Sequence, residues 1–287
     1  ARVLEALWRD TEFPDGARAR SLVRVTPDID ALVRELETAG RRAGGLWSAA
    51  GMLGAGAGDS VRLALLSIIF RAAGLPSQYD RARFVLWLRQ HGYETAVRDY
   101  LAKQGHIFED ELPHLAVSTA LAEAVLAANP KLADSPQEAL QLLATQFAAP
   151  ADITDDDLIE TIDKVLAIQA TDRAKRPLVL LILDELQQYL GEDPRRTLQV
   201  QQVVEACSSR FGSHVLFVGT GQAALQANPQ LQKLQARFTV RVTLEDRDIE
   251  QVVREVVLRK KPEAVPLLAD TLDRVQGEIS RHLAGSR

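Results

Sequence analysis

The amino-acid sequence predicts an α/β fold, a mostly parallel sheet flanked by helices and interrupted by a large helical insertion. Three observations carry that expectation. Pro177 opens LVLLILDE, a continuous apolar run of the kind found in a parallel strand covered on both faces. HVLFVGT (His214 to Thr220) repeats the pattern after a helical stretch from about Arg195 to Ser208, and FTVRVTL (Phe238 to Leu244) offers a third strand. From Tyr79 to about Ala170, by contrast, nearly every segment has helical spacing, as at Phe84, Trp87 and Leu88 or at Leu121, Val125 and Leu126, with no convincing strand.

The remaining elements follow from punctuation. Ser21 to Thr26 is a short β-prone run. Thr26, Pro27 and Asp28 then read as cap, first-position proline and acidic first turn of a helix carrying Ile29, Leu32, Val33 and Leu36. Gly44 to Gly58 is glycine-rich and reads as a flexible loop, after which Asp59 and Ser60 cap a helix beginning at Val61. Ser135-Pro136-Gln137-Glu138 has the form of a full capping box, and Thr154 to Asp157 of a weaker one. Beyond Asp246 the chain returns to helix, with Ile249, Val252, Val253, Val256 and Val257 on one face, breaks at Pro262, and ends in a final helix.

Composition bounds the function. With 287 residues and 46% hydrophobic content, the chain can bury a core. A formal charge of -5 argues against a surface built as a whole to neutralise nucleic-acid phosphates. The one cysteine, Cys207, permits no internal disulfide and fits a reducing cytoplasm. Five histidines stand without ligand spacing, so no structural metal is expected. No apolar run approaches the roughly 20 residues of a membrane helix. A start at Ala1 and a single methionine, Met52, suggest a segment excised from a longer chain.

The chemistry concentrates at Asp184 and Glu185. A buried parallel strand delivers its carboxyl end to the crevice where open α/β sheets bind ligands. There an aspartate can hold Mg²⁺ directly or through water, and a following glutamate can polarise the water that attacks a γ-phosphate. The pair has the form of a Walker B motif, the catalytic strand of a P-loop NTPase. The next strand ends in Thr220 and Gln222, where such enzymes place a polar sensor. Leu234-Gln235-Ala236-Arg237-Phe238 then follows the pattern of AAA+-like ATPases, in which the arginine reaches a neighbour's nucleotide. A core strand ending in an acidic helix cap is the bland alternative for Asp184 and Glu185.

A phosphate-gripping loop is missing from this pattern. Such a loop needs glycines for close backbone approach and a lysine for the β and γ phosphates. No Gly-Lys pair occurs. The nearest imitation, Gly54-Ala55-Gly56-Ala57-Gly58-Asp59-Ser60, puts Asp59 in the lysine's place, and the sequence shows no strand leading into it. The basic cluster Arg254, Arg259, Lys260 and Lys261 reads as a solvated helix end.

The runs DSVRLALLSIIFRAAGLP, RFVLWLRQHGYETAVRDYL, LVLLILDELQQYLGED and LFVGTGQ resemble the large P-loop ATPase of the phage growth limitation and BREX phage-defence systems, the PglY and BrxC type. The resemblance implies an AAA+/STAND-like NTPase core over 1-58 and 171-245 that lacks its first strand and phosphate loop. A helical insertion over 59-170 and the start of a C-terminal helical lid over 246-287 complete it. It implies Asp184 as the Mg²⁺ and nucleotide-cofactor contact, and Glu185, Thr220 and Arg237 as catalytic, sensor and trans-acting residues. ATP and Mg²⁺ are expected for the full-length protein and none bound to this segment alone. Expected partners are the other components of a bacterial defence system in the cytoplasm, with a homo-oligomer and DNA left open, DNA without support from the net charge. A nucleotide-free scaffold keeping the ATPase architecture is the competing function.

Overall fold

In the computed structural model, residues 1-24, 26-54, 60-172, 174-221, 234, 238-240, 242 and 264-284 are described. The chain divides into two compact units, Ala1–Arg237 and Phe238–Arg287.

The first unit is an α/β structure, mostly helical, around a three-stranded parallel sheet of order β1-β2-β3. The strands are β1 (Leu46–Met52), β2 (Leu178–Asp184) and β3 (Val215–Gly219). Residues from Leu46 to Met52 pair with Leu178 to Asp184, and Val179 to Leu183 pair with Val215 to Gly219. β2 is central, and Val179 to Leu183 are all buried, which is why this run is apolar without alternation.

Three helices precede the sheet: α1 (Arg2–Arg9), α2 (Ala19–Val23) and α3 (Pro27–Arg42). The β-prone run from Ser21 is a correction, because Ser21, Leu22 and Val23 belong to α2. Arg20, only 6% exposed, explains the helix, since its guanidinium donates to the carbonyl oxygens of Leu7 and Trp8 and fixes α2 against the end of α1. Thr26 caps α3 as expected, accepting from the Ile29 N–H, but Leu32 is 64% exposed and α3 buries Val33 and Gly40. α1 packs on β1, where Arg9 donates to the side chain and carbonyl of Ser48, and Trp8 donates to the carbonyl of Leu178 in β2. Burial lowers the Arg9 pKa, with Glu5 opposing the shift.

Between β1 and β2 the regular elements among the described residues are helical, chiefly α4 (Val61–Ala72), α5 (Tyr79–His91), α6 (Glu94–Lys103), α7 (Phe108–Glu111), α8 (Thr119–Ala128), α9 (Pro136–Gln146) and α10 (Asp155–Gln169). α4 packs on β1, α10 on α4, and α8 on both α6 and α9. The two capping sequences exchange ranks. Thr154 and Asp157 form the full reciprocal box. Ser135 caps α9 through the Glu138 N–H, but the Glu138 carboxylate accepts from the N–H of Asp134 instead of returning to Ser135.

α11 (Leu186–Leu190) and α12 (Pro194–Phe211) link β2 to β3, and α12 packs on β3, α4 and α10. Leu183 and Phe217 from the sheet meet Leu65 of α4 and Val200 and Val203 of α12 in one apolar seam. In the second unit α13 (Val265–Ala284) is the helix among the described residues. Of the expected strand over Phe238 to Leu244, residues 238-240 and 242 are described and none of them is in a strand, with Val240 and Val242 exposed; the expected helix after Asp246 lies outside the described residues.

Candidate functional site at the carboxyl end of the sheet

The register carries Met52, Asp184 and Gly219 to the same end of the sheet. Asp184 is the last residue of β2 and is half-buried between two neighbouring strands. Thr220, the residue after β3, stands beside it. Of Asp184, Thr220 and the region around Arg237, expected together at the carboxyl ends of adjacent parallel strands, Asp184 and Thr220 stand there, and Arg237 lies outside the described residues.

Immediately after Asp184 the backbone turns sharply. Glu185 has φ 50 and ψ 40, a left-handed conformation that disfavours a residue with a β-carbon by about 1–2 kcal/mol. It is one of two non-glycine residues with positive φ among the described residues, the other being Asp10. Four hydrogen bonds from one residue hold the turn. The Thr220 hydroxyl donates to Asp184 Oδ1 and accepts from the Glu185 N–H at 3.3 Å. The Thr220 N–H donates to the Leu183 carbonyl at 3.0 Å, and the Thr220 carbonyl accepts from the Leu186 N–H at 3.0 Å. A left-handed glutamate persists only where its surroundings over-determine it, and such strain gathers at functional sites.

Two further residues reach this end of the sheet and were not legible as site residues. Tyr189 of α11 lies against Gly54, where a β-carbon would stand 3.3 Å from Tyr189 Cδ2. Arg196 of α12 donates to the Tyr189 carbonyl at 2.9 Å, with its guanidinium carbon 5.2 Å from the Tyr189 ring centroid. The weak sequence signal was spacing alone, four residues from Glu185 to Tyr189 and seven more to Arg196.

The glycine-rich stretch requires a correction. A strand does lead into it: β1 ends at Met52, Gly54 takes φ +87, and α4 begins at Val61. Residues 55-59, Asp59 included, lie outside the described residues. At the start of α4, Ser60 accepts from the Leu63 N–H at 3.1 Å and donates to Asp152 Oδ1. Arg62 Nη1 donates to Asp152 Oδ2 at 3.1 Å and Arg62 Nε to Asp155 Oδ1 at 2.6 Å. The positive end of the α4 dipole thus already faces a protein carboxylate.

Mg²⁺ accepts one or two carboxylates and completes its shell with water and substrate phosphates. Asp184, with Oδ2 not engaged by Thr220, fits that minimal role. No cluster of three or more His, Cys, Asp or Glu residues able to hold an ion by themselves occurs among the described residues. Gln222 and Arg237, expected as sensor-region and trans-acting residues, lie outside the described residues, as do Arg254, Arg259, Lys260 and Lys261.

No protein-family model matches the chain, and no solved structure matches it. The class that the fold defines is therefore the coarse one, an α/β structure with a small parallel sheet. Among the described residues no helix is long and apolar enough to cross a membrane.

Proposed function

We propose that this chain supplies the metal- and water-handling elements of an ATP-hydrolysing P-loop NTPase, of the PglY and BrxC type that its sequence resembles, acting in bacterial phage defence. One observation carries the reading: two consecutive carboxylates leave the carboxyl end of a buried central strand through a strained turn, and that turn is held by the first residue beyond the next parallel strand. A merely structural helix cap gains nothing from a left-handed glutamate, for which glycine or asparagine serves better.

Asp184 would hold Mg²⁺ directly or through a water. Glu185 would orient the attacking water and accept its proton. When bound, Mg²⁺ supplies charge neutralisation on the β- and γ-phosphate oxygens. A phosphate grip needs a Gly-Lys pair, which does not occur in this sequence. Arg237 would act on a neighbouring subunit's nucleotide, in a cytoplasmic assembly with other defence components.

The test uses a preparation of the full protein that hydrolyses ATP. Glu185→Gln keeps size and shape but removes the charge, so nucleotide still binds while hydrolysis falls about 10²- to 10⁴-fold. Asp184→Asn weakens Mg²⁺-dependent binding itself. Hydrolysis at the wild-type rate in Glu185→Gln would reduce Glu185 to a cap.

The second reading, a nucleotide-free scaffold, draws support from the start of α4, where the Ser60 hydroxyl is already bonded to the carboxylate of Asp152. Calorimetry of the isolated chain with ATP and Mg²⁺ is expected to show no saturable heat on either reading. A scaffold would in addition leave the full protein indifferent to Glu185→Gln.

A further inference from the structure

We propose that Thr220 is a positioning residue, which aims the Asp184 carboxylate through its hydroxyl and fixes the Glu185 backbone, and that it does not donate to the nucleotide. The proposal rests on the NTPase reading only for what the two carboxylates do. The positioning itself is a property of the chain as it stands.

A threonine hydroxyl has one proton and two lone pairs. Here the proton goes to Asp184 Oδ1, and one lone pair takes the Glu185 N–H at 3.3 Å. The main-chain groups of Thr220 are also used, toward Leu183 and Leu186. A group that reads a phosphate has to donate to it, and this hydroxyl has no second proton. Releasing the first would break a bond to a carboxylate, the stronger kind when the acceptor is ionised. The β-branch restricts χ1, so the hydroxyl is held in place by its own side chain.

The consequences reach both acids. With Oδ1 engaged by Thr220, Oδ2 is the oxygen of Asp184 left to meet a cation, the arrangement by which outer hydrogen bonds orient metal-binding carboxylates. Glu185 is held in its left-handed conformation by a bond to its own N–H, which a regular helix start would not need. One hydroxyl thereby couples the direction of the metal acid to the backbone of the water acid.

Amide hydrogen exchange on this chain, followed residue by residue by NMR, tests the positioning. Thr220→Val is close in shape and lacks the hydroxyl; Thr220→Ser keeps it. The valine variant is expected to lose protection at the Glu185 amide by roughly 3- to 10-fold. The Leu186 amide, bonded to the main-chain oxygen of Thr220, is expected to stay within twofold of wild type, on the order of experimental scatter. Serine is expected to restore the Glu185 amide. Unchanged protection in the valine variant, equal loss at both amides, or no rescue by serine would each overturn the proposal. In an active full-length preparation, Thr220→Val is expected to lower kcat and leave KM for ATP nearly unchanged. A raised KM at constant kcat would mean that the hydroxyl touches nucleotide and would also overturn it. Failure of the NTPase reading looks different: the amide pattern stands while hydrolysis is absent or insensitive to Glu185→Gln.

Discussion

Gly51 and Ile68 approach so closely that a β-carbon on Gly51 would lie 2.9 Å from Ile68 Cγ1, nearer than such atoms come in proteins. Gly51 is the sixth residue of β1, paired with Leu183, and Ile68 is 2% exposed in the middle of α4. The glycine is what lets α4 settle onto the strand directly beside Asp184's neighbours.

Gly51→Ala is therefore expected to cost about 1–3 kcal/mol in urea unfolding, the range for overpacking a closed interior. Ile68→Ala alone costs about 2–5 kcal/mol by emptying the site. In the double variant the new methyl occupies part of that space, so the combined loss falls short of the sum by about 0.5–3 kcal/mol. Strict additivity would show that the two residues are not in contact.

Glu185 gives a second, opposite expectation. Replacing it with glycine relieves the left-handed conformation, and Glu185→Gly is expected to be neutral or stabilising by about 1 kcal/mol in thermal unfolding. Glu185→Val, β-branched at the same φ, is expected to lose about 1–3 kcal/mol. A large loss in the glycine variant would mean that the glutamate side chain, and not the site, had been fixing the turn.

The sequence made the two strands beside the site legible for a physical reason. A strand covered on both faces must be apolar, as Val179 to Leu183 are, and VLFVG repeats the run although in β3 only Val215 is buried. β1 escaped because LWSAAGM has neither β-branched residues nor alternation, and its propensity is overridden by pairing with β2 and by the close approach of α4 at Gly51. The run from Ser21 misled in the other direction: Val23 favours strand, but the buried Arg20 anchors the segment as helix. Asp184, Glu185 and Thr220 could be placed at one end of a sheet from spacing alone. The left-handed turn and the Thr220 bonds could not, since they depend on register between strands 35 residues apart. Tyr189 and Arg196 stayed hidden because nothing local distinguishes them from helix-surface residues.

Cys207 of α12 is fully buried, and burial pushes its thiol pKa up to about 12, with the nearby Asp155 carboxylate adding to the shift. The unfolded thiol titrates near 8.5, roughly its ordinary value. Above that pH the unfolded chain releases a proton that the folded chain retains, so stability falls as pH rises. The contribution is complete below about pH 8.5 and declines by roughly 1.4 kcal/mol per pH unit toward 12. Other groups titrate in that range, so the measurement is the difference between wild type and Cys207→Ala across pH 7 to 10.5. The wild type is expected to lose ground steadily above about pH 8.5. A flat difference would place the thiol in contact with solvent.

The last expectation concerns the link between the sheet and the helices that interrupt it. Arg62, at the start of α4, joins Asp152, just before α10, and Asp155, the first residue of α10, through bonds of 3.1 and 2.6 Å. Its guanidinium is 20% exposed, and the hydrogen bond to Asp155 raises its pKa against the opposing effect of burial. The carboxylates are 46% and 44% exposed, so solvent screens each pair, and a coupling of about 1 kcal/mol is the most that such geometry supports. Arg62→Met keeps the apolar stem and removes the charge, leaving Asp152 and Asp155 to repel across a short gap. It is thus expected to cost more than Asp155→Asn, which leaves Asp152 as a partner. In a double-mutant cycle of the two, the coupling is expected at about 0.3–1 kcal/mol in low salt. It should shrink by half or more near 1 M salt, where the screening length is about 3 Å. A coupling that survives high salt unchanged would mean that the bridge is shielded from water and contributes as packing. A coupling near zero at low salt would mean that α4 and α10 are held together by Leu65, Leu158 and Ile162 of their buried faces alone.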